Sequence, residues 1–294
     1  MDKFFYTDIP TWDNGEWKTT SFESRDHFRD FIVTCFKEPG KYQFDESSKV
    51  FNEQGKLFDK NGFYCAAPIR SKDYITYWDS EKLKCRKGVI FKNKGNTWFI
   101  TREYYMWLNF LPINNKETRR FAFPDVRDAQ YHMALYELLA ELFYKHCAIL
   151  KKRQIASSYF HCAKLINCIW FEETPILKIG ASLKDYVNDK GSWKFLNEYQ
   201  SFLNEHTAWY RPMNPGKVGM WQQQIEEKNS QGRTYMKGLK GVLSMVTFEK
   251  DATSGVGGPC TYFFHEEAGI APKMDVTVEF PVSYTHLTLP TILL

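Results

Sequence analysis

Apolar residues recur at 131, 134, 135, 138, 139, 142 and 143, a 3.6-residue period that predicts an amphipathic helix running to Tyr144. Pro124-Asp125 precedes it as a start signal, with Asp125 as the expected cap and Asp128 three residues further on. A second helix is predicted over 157–171 from the spacing of Tyr159, Cys162, Ala163, Ile166, Ile169 and Trp170. Between these helices, "HCAIL" (146–150) reads as a buried strand. "PILKIGA" (175–181), "GVLSMVTFE" (241–249) and "CTYFF" (260–264) are further short apolar runs, with a polar helical region reaching about 208 and a Gly/Pro-punctuated segment at 210–219 between them. Strands alternating with helices predict a mostly parallel sheet covered by helices, an α/β fold.

Ahead of residue 115 the pattern differs. Aromatic residues crowd there, with turn clusters at 37–41, 59–63 and 92–96, so this part is expected to be a separate aromatic-rich α+β region. "GVIFKNKGNTWFIT" (88–101) places two apolar runs around a Gly-Asn turn and predicts a hairpin. "REYYMWLNFLP" (102–112) then predicts a short helix ended by Pro112. The charged "NNKETRR" (114–120) is the expected boundary, with a second domain over 116–281.

Composition changes this picture little. Hydrophobic residues are 43% and charged residues 25%, ordinary for a folded chain, and a net charge of +4 permits contact with nucleic acid without arguing for it. Seven cysteines form no CxxC pair and several fall in apolar runs, which fits a reducing, cytosolic setting. The start of the chain lacks a basic head followed by an apolar run, so no signal peptide is expected. No stretch approaches the roughly 18 apolar residues of a membrane span.

Two places carry candidate chemistry. The stretch "ILKKRQIASSYFHCAKLI" (149–166) is strand, basic turn and helix, the setting in which backbone N–H groups at a helix start face an anion. The phosphate-loop consensus G-x-x-x-x-G-K-[ST] falls on 151–158, with Ala156 at the second glycine, Ser157 at the lysine and the hydroxyl kept as Ser158. A basic loop between two core elements satisfies the same pattern. Ala156 also restricts the turn, because its Cβ makes positive φ costly. The second place is "CTYFFHEEAG" (260–269), an apolar strand ending in Glu266 and Glu267. Nucleotide hydrolases use one such acid to hold Mg2+ and another to orient water; a solvated acidic turn is the alternative. Gly269 excludes an HExxH zinc motif, and His265 reads as a satisfied core histidine.

In order and spacing these motifs resemble the ATPase domain of the large subunit of phage terminases, the DNA-packaging motors. The resemblance covers roughly residues 90–272, with "TREYYMWLNFLPI" (101–113) and "RFAFPDVRDAQYH" (120–132) similar to the family's lead-in. It implies a deviant phosphate loop with an early cation at Lys151, Lys152 competing for that role, and Arg153-Gln154 just before Ala156. It also matches the acidic strand, ending Glu266-Glu267-Ala268-Gly269. Implied with it are a P-loop NTPase-type fold, ATP and Mg2+, and hydrolysis that drives double-stranded DNA into a procapsid. Lys151 and Arg153 would bind the β- and γ-phosphates, Ser158 and Glu266 would hold Mg2+, and Glu267 would position water. Lys152, Gln154, Ala156 and Ser157 complete the loop, and Gln130 either reads adenine or is an exposed helical glutamine. Expected partners are a portal protein, a small terminase subunit and further copies in a ring, in the host cytoplasm and with no membrane. The other readings are a helicase-like ATPase that remodels nucleic acid and a non-catalytic binding module.

Three further stretches bear on this. "GRTYMKGLKG" (232–241) either touches DNA phosphates or is a solvated loop, and "TSGVGG" (253–258) lacks the helix that a second phosphate site needs. Proteins of the resembled family continue into a nuclease domain, which the resemblance implies is missing here. "VSYTHLTLPT" (282–291) matches one reading frame of translated sequencing-adapter sequence, so 282–294 is expected to be a non-native tail; a genuine β-strand is the alternative, since "VSYTHLTL" alternates.

Overall fold

The computed structural model describes residues 3–36, 51–93, 95–115, 120–150, 155–209, 214–215, 219–249, 260–267 and 291–293. The chain divides into two compact units, Met1–Ala163 with Leu287–Leu294, and Lys164–His286.

In the first unit, strands β1 (Ile9–Asp13) and β2 (Glu16–Thr20) form a hairpin about Asn14-Gly15. Both turn residues have positive φ, 47° and 110°, the mirror-image turn that matches strand twist and that Asn-Gly adopts readily. Helices α1 (Arg25–Cys35), α2 (Glu53–Asn61) and α3 (Lys72–Lys87) follow. Ser24 and Ser71 cap α1 and α3 by accepting the N–H groups of His27 and Tyr74. Strands β3 (Val89–Asn93) and β4 (Asn96–Ile100) make the expected hairpin and complete a sheet ordered β2-β1-β3-β4, with β1 and β3 parallel.

Helix α4 (Arg102–Phe110) is the core of this unit, with every residue after Arg102 buried. Asn109 and Glu103 show how its polar members are held. Asn109 is fully buried; its Oδ1 accepts the N–H groups of Gln54 (3.0 Å) and Gly55 (3.3 Å), while its Nδ2 donates to the carbonyls of Phe51 (2.7 Å) and Tyr105 (2.9 Å). One amide therefore caps the start of α2 from a neighbouring helix. Glu103 pairs with Arg102 at 3.8 Å.

The charged connector expected at 114–120 carries a strand pair, β5 (Ile113–Asn115) and β6 (Arg120–Ala122). Helix α5 (Asp128–Leu142) starts three residues later than its sequence signal, and Asp125 does not cap it. Asp125 pairs instead with Lys56 Nζ at 2.9 Å. The chain enters α5 through Arg127, whose N–H and carbonyl both meet the buried Tyr104 hydroxyl, at 3.2 and 3.3 Å. That hydroxyl holds the residue from which α5 begins. Strand β7 (Ala148–Leu150) is not buried as expected: Leu150 is 60% exposed. It pairs in parallel with β13 (Thr291–Leu293) in a two-stranded sheet, so the apolar run lacks the neighbours that would cover it. Those three residues lie in the stretch expected to be a tail.

Helix α6 (Ser157–Phe171) has the predicted bounds, and the division between the units falls within it. The second unit continues with β8 (Ile176–Ala181), α7 (Lys184–Val187), α8 (Ser192–His206), β9 (Asn214–Pro215), β10 (Met220–Lys228), β11 (Thr234–Thr247) and β12 (Tyr262–Glu266). Its sheet is ordered β12-β8-β11-β10-β9. Only the pairs of β8 with β11 and with β12 are parallel; β10 with β11 and β9 with β10 are antiparallel. The fold is therefore α/β with mixed sheets rather than a mostly parallel one. The cause is the stretch 220–241, where "GRTYMKGLKG" forms the first half of β11 and folds back on β10. The glycine-rich 253–258 and the end of the expected second domain, 268–281, lie outside the described residues.

Candidate functional site

Lys151, Lys152, Arg153 and Gln154 lie outside the described residues; the loop is described from Ile155 onward. Ala156 takes the left-handed conformation, φ +57°, at the position where the phosphate-loop consensus has glycine. The helical ladder opens with Phe160 N–H donating to Ala156 O at 3.1 Å, so the preceding N–H groups have their acceptors outside that ladder. Gln130 is no exposed surface residue: it is 3% exposed, and its Nε2 donates to the carbonyl of Ile155 at 2.9 Å. It thus anchors the backbone just before the left-handed residue. Its Oε1 and the buried Ser157 Oγ make no hydrogen bond among the described residues. Ser158 is half-buried.

One turn into α6, His161 Nδ1 lies 2.7 Å from the carbonyl of Ser157 and its Nε2 2.7 Å from Glu137 Oε1 on α5. A carbonyl oxygen only accepts, so Nδ1 is the donor to Ser157. This buried pair braces the first turn of α6 against α5. Its members stand 24 residues apart, and nothing local in the sequence links them.

In the second unit, the parallel register of β12 on β8 carries the acidic strand to Glu266, opposite Ala181. Glu266 is 4% exposed, and Ser192 at the start of α8 donates from Oγ to its Oε2 at 3.5 Å. Glu267 is exposed and left-handed, φ +49°, so the chain turns sharply directly after the buried carboxylate. The two neighbouring acids thus stand in opposite environments, one packed and one in water. His265 stacks against Phe263 and Phe248, with ring centroids 5.9 and 4.9 Å away. Burial pushes its imidazole below the usual range, and its Nε2 has no hydrogen-bond partner among the described residues, so it is not the satisfied core histidine that the sequence predicts.

Two residues of this unit carried no sequence signal as site candidates. Ser192 lies in the stretch expected to be a polar helical region, where one serine among many polar residues marks nothing. Lys164 is buried within the apolar face of α6, its ammonium 4.6 Å over the Tyr262 ring on β12.

No protein-family model matches the chain, and no curated protein matches it. The chemistry must therefore be read from the residues. The start of a fifteen-residue helix favours an anion. A buried carboxylate at a strand end suits a divalent cation, and an exposed one beside it can accept a proton from water. Among the described residues, no three His, Cys, Asp or Glu side chains are grouped to hold a metal ion. A Mg2+ site built from one or two carboxylates, phosphate oxygens and water does not need such a trio.

Proposed function

We propose that this chain is an ATP-hydrolysing subunit of a viral DNA-packaging motor of the terminase large-subunit type, acting in the host cytoplasm. The observation that carries the reading is that two of the six left-handed non-glycine residues among those described, Ala156 and Glu267, fall one in each of the motifs singled out from the sequence. Such conformations cost about 1–3 kcal/mol each and gather at functional sites, where the surrounding structure holds them. The buried Glu266 beside the exposed Glu267 supports a division of labour between a metal ligand and a water-positioning base.

In this reading Lys151 and Arg153 bind the β- and γ-phosphates, with Lys152, Gln154, Ala156, Ser157 and Ser158 completing the loop. Ser158 in the first unit and Glu266 in the second are the Mg2+ ligands this reading would require, and Glu267 would orient the attacking water. The orphaned Ser157 hydroxyl at the helix start is the described group best suited to take up an anion or its metal. Gln130 supports the loop rather than reading a base. ATP with Mg2+ supplies the transferable phosphoryl group and neutralises its charge. Double-stranded DNA, a portal protein, a small terminase subunit and further copies in a ring are the partners.

A second reading, a non-catalytic binding module, is favoured by one observation. Strand β7, which leads into the loop, pairs with β13 in a two-stranded sheet and is largely exposed. ATP turnover and ATP-dependent thermal shift of the full chain separate the two. Glu267→Gln is expected to cut turnover by roughly 10²–10⁴-fold, the scale of a lost general base, while the thermal shift persists. Lys151→Ala is expected to remove the thermal shift itself. A parent chain that shows neither turnover nor shift leaves the binding module as the better reading.

A further inference from the structure

Strand β11 has β8 beside it only from Val242 to Thr247, and β10 has β9 beside it only at Trp221 and Gln222. Beyond those points β10 and β11 pair with each other alone among the described strands, in register from Gln224↔Gly238 to Lys228↔Thr234. At strand rise the ribbon extends roughly 15 Å from the sheet. Its base is fixed. A register shift falls between Gln222 and Gln224, where Gly238 takes φ +98°. A Cβ on Gly241 would lie 2.2 Å from Gln223 Oε1, and Gln223 Nε2 donates to the carbonyl of Ile169 at 2.5 Å. Its tip is fixed too: Asn229 Oδ1 accepts the N–H groups of Gln231 and Arg233, at 3.0 and 2.8 Å.

A ribbon held this firmly at both ends has no core to serve. Every described side chain from Lys228 to Lys240 is exposed, including Tyr235 (45%) and Leu239 (39%). Between Gln222 and Gly241 the sequence places four cations, Lys228, Arg233, Lys237 and Lys240, against two carboxylates, Glu226 and Glu227. Glu227 is turned inward on the ribbon by the Tyr235 hydroxyl at 2.6 Å and Lys237 Nζ at 3.3 Å. Lys228, Arg233 and Lys240 make no ion pair among the described residues. A two-stranded ribbon fits the major groove of B-DNA, and exposed lysine and arginine are what phosphates select.

We propose that the β10–β11 ribbon is a double-stranded DNA contact, with Lys228, Arg233 and Lys240 on phosphates and Lys237 divided between phosphate and Glu227. The choice of DNA over another polyanion rests on the packaging-motor reading above; the ribbon's basic, projecting form does not. The test is fluorescence anisotropy of a short labelled DNA duplex with the full chain over a series of salt concentrations, with ATP hydrolysis measured in parallel. The fourfold variant Lys228→Ala, Arg233→Ala, Lys237→Ala, Lys240→Ala is expected to lose duplex affinity. Its slope of log affinity against log salt should be shallower by about 3 to 4, roughly one per phosphate contact. Melting temperature and basal ATP hydrolysis should be unchanged, and the matching lysine-to-arginine variant should bind as the parent does. If the fourfold variant melts early, Lys228→Gln with Lys240→Gln should still remove about half of the slope change. A parent that binds duplex with the variant's slope identical overturns the ribbon assignment and leaves the motor reading standing. A parent that hydrolyses ATP but binds only acidic protein and no duplex overturns the DNA contact and the packaging role together.

Discussion

Helix α4 and the β10–β11 ribbon are both rich in large and polar residues, yet they live in opposite solvents. In α4 everything after Arg102 is buried, so each polar group must find its partner inside the protein, and Asn109 meets four backbone groups. In the ribbon every described side chain from Lys228 to Lys240 meets water, which satisfies amides, hydroxyls and charges without help. The difference teaches where polar residues are structural and where they are available. A polar residue in α4 is committed to the fold, and one on the ribbon is free to meet a partner.

The strongest way to break this comparison is at Asn109. Asn109→Leu keeps the branched shape but strands the Gln54 and Gly55 N–H groups and takes a donor from the carbonyl of Phe51, while the Tyr105 carbonyl keeps its helical partner, the Asn109 backbone N–H. Each buried group left unsatisfied costs about 1–3 kcal/mol, and partial rearrangement recovers some, so the loss should be on the order of 4 kcal/mol. Denaturant unfolding of the full chain measures it. A loss under about 1 kcal/mol would mean that α2 is capped by water and that α4 is not the closed environment described. The fourfold ribbon variant, by contrast, should leave the same unfolding curve in place.

Little of this contrast could be read from the sequence. Period and turn chemistry mark the elements that depend on neighbours in the chain. The apolar spacing from Tyr159 to Trp170 gave α6 its bounds, and Gly95 marked the β3–β4 hairpin. Asn14-Gly15 is a turn signal of the same kind at the first hairpin. What failed depends on contacts distant in the chain. The residue from which α5 begins is held by the Tyr104 hydroxyl rather than by Asp125, the cap of α2 comes from Asn109, and His161 is braced by Glu137. The ribbon was hidden for another reason. Glycine and charge in "GRTYMKGLKG" read as a loop, because a strand exposed on both faces has no hydrophobic alternation to betray it. At the candidate site the motif residues were legible, but their environments were not. Glu266 buried, Glu267 exposed and Gln130 tied to Ile155 are all consequences of tertiary packing.

Between the two extremes lies His265, half-buried and with its imidazole lowered by burial from an ordinary value of 6.5. The sign follows from proton uptake. Below pH 6.5 the unfolded chain binds a proton that folded His265 resists, so the folded state loses stability as pH falls from 6.5 to the lowered folded value. Above 6.5 both states are neutral and the contribution is constant. The slope is at most about 1.4 kcal/mol per pH unit for one proton. His265→Phe, which keeps an aromatic ring beside Phe248 and Phe263, should flatten stability against pH in that window and leave it unchanged at higher pH. An unaltered acid slope in the variant would place the proton elsewhere and return His265 to the satisfied core.

The smallest effect asks whether burial alone sorts this molecule. Ala156 is half-buried, so neither α4 nor the ribbon is a guide to it, and its strain lies in the backbone. At φ +57° its Cβ crowds the following carbonyl, a cost of about 1–2 kcal/mol that glycine escapes. Glycine also gives the unfolded chain more freedom to lose, which offsets part of that relief. Ala156→Gly should therefore stabilise the protein by about 0.5–1 kcal/mol, opposite in sign to nearly every other substitution in a helix start. The functional reading adds a second expectation. If the strain is held for nucleotide binding, by Gln130 on the Ile155 carbonyl and by His161 on the Ser157 carbonyl, relaxing it should alter ATP affinity as well as stability. Thermal melting with and without ATP reads both quantities on one sample. A variant less stable than the parent would show that Ala156 contributes contacts that glycine cannot make. The left-handed turn would then be a packing feature rather than a mark of the site.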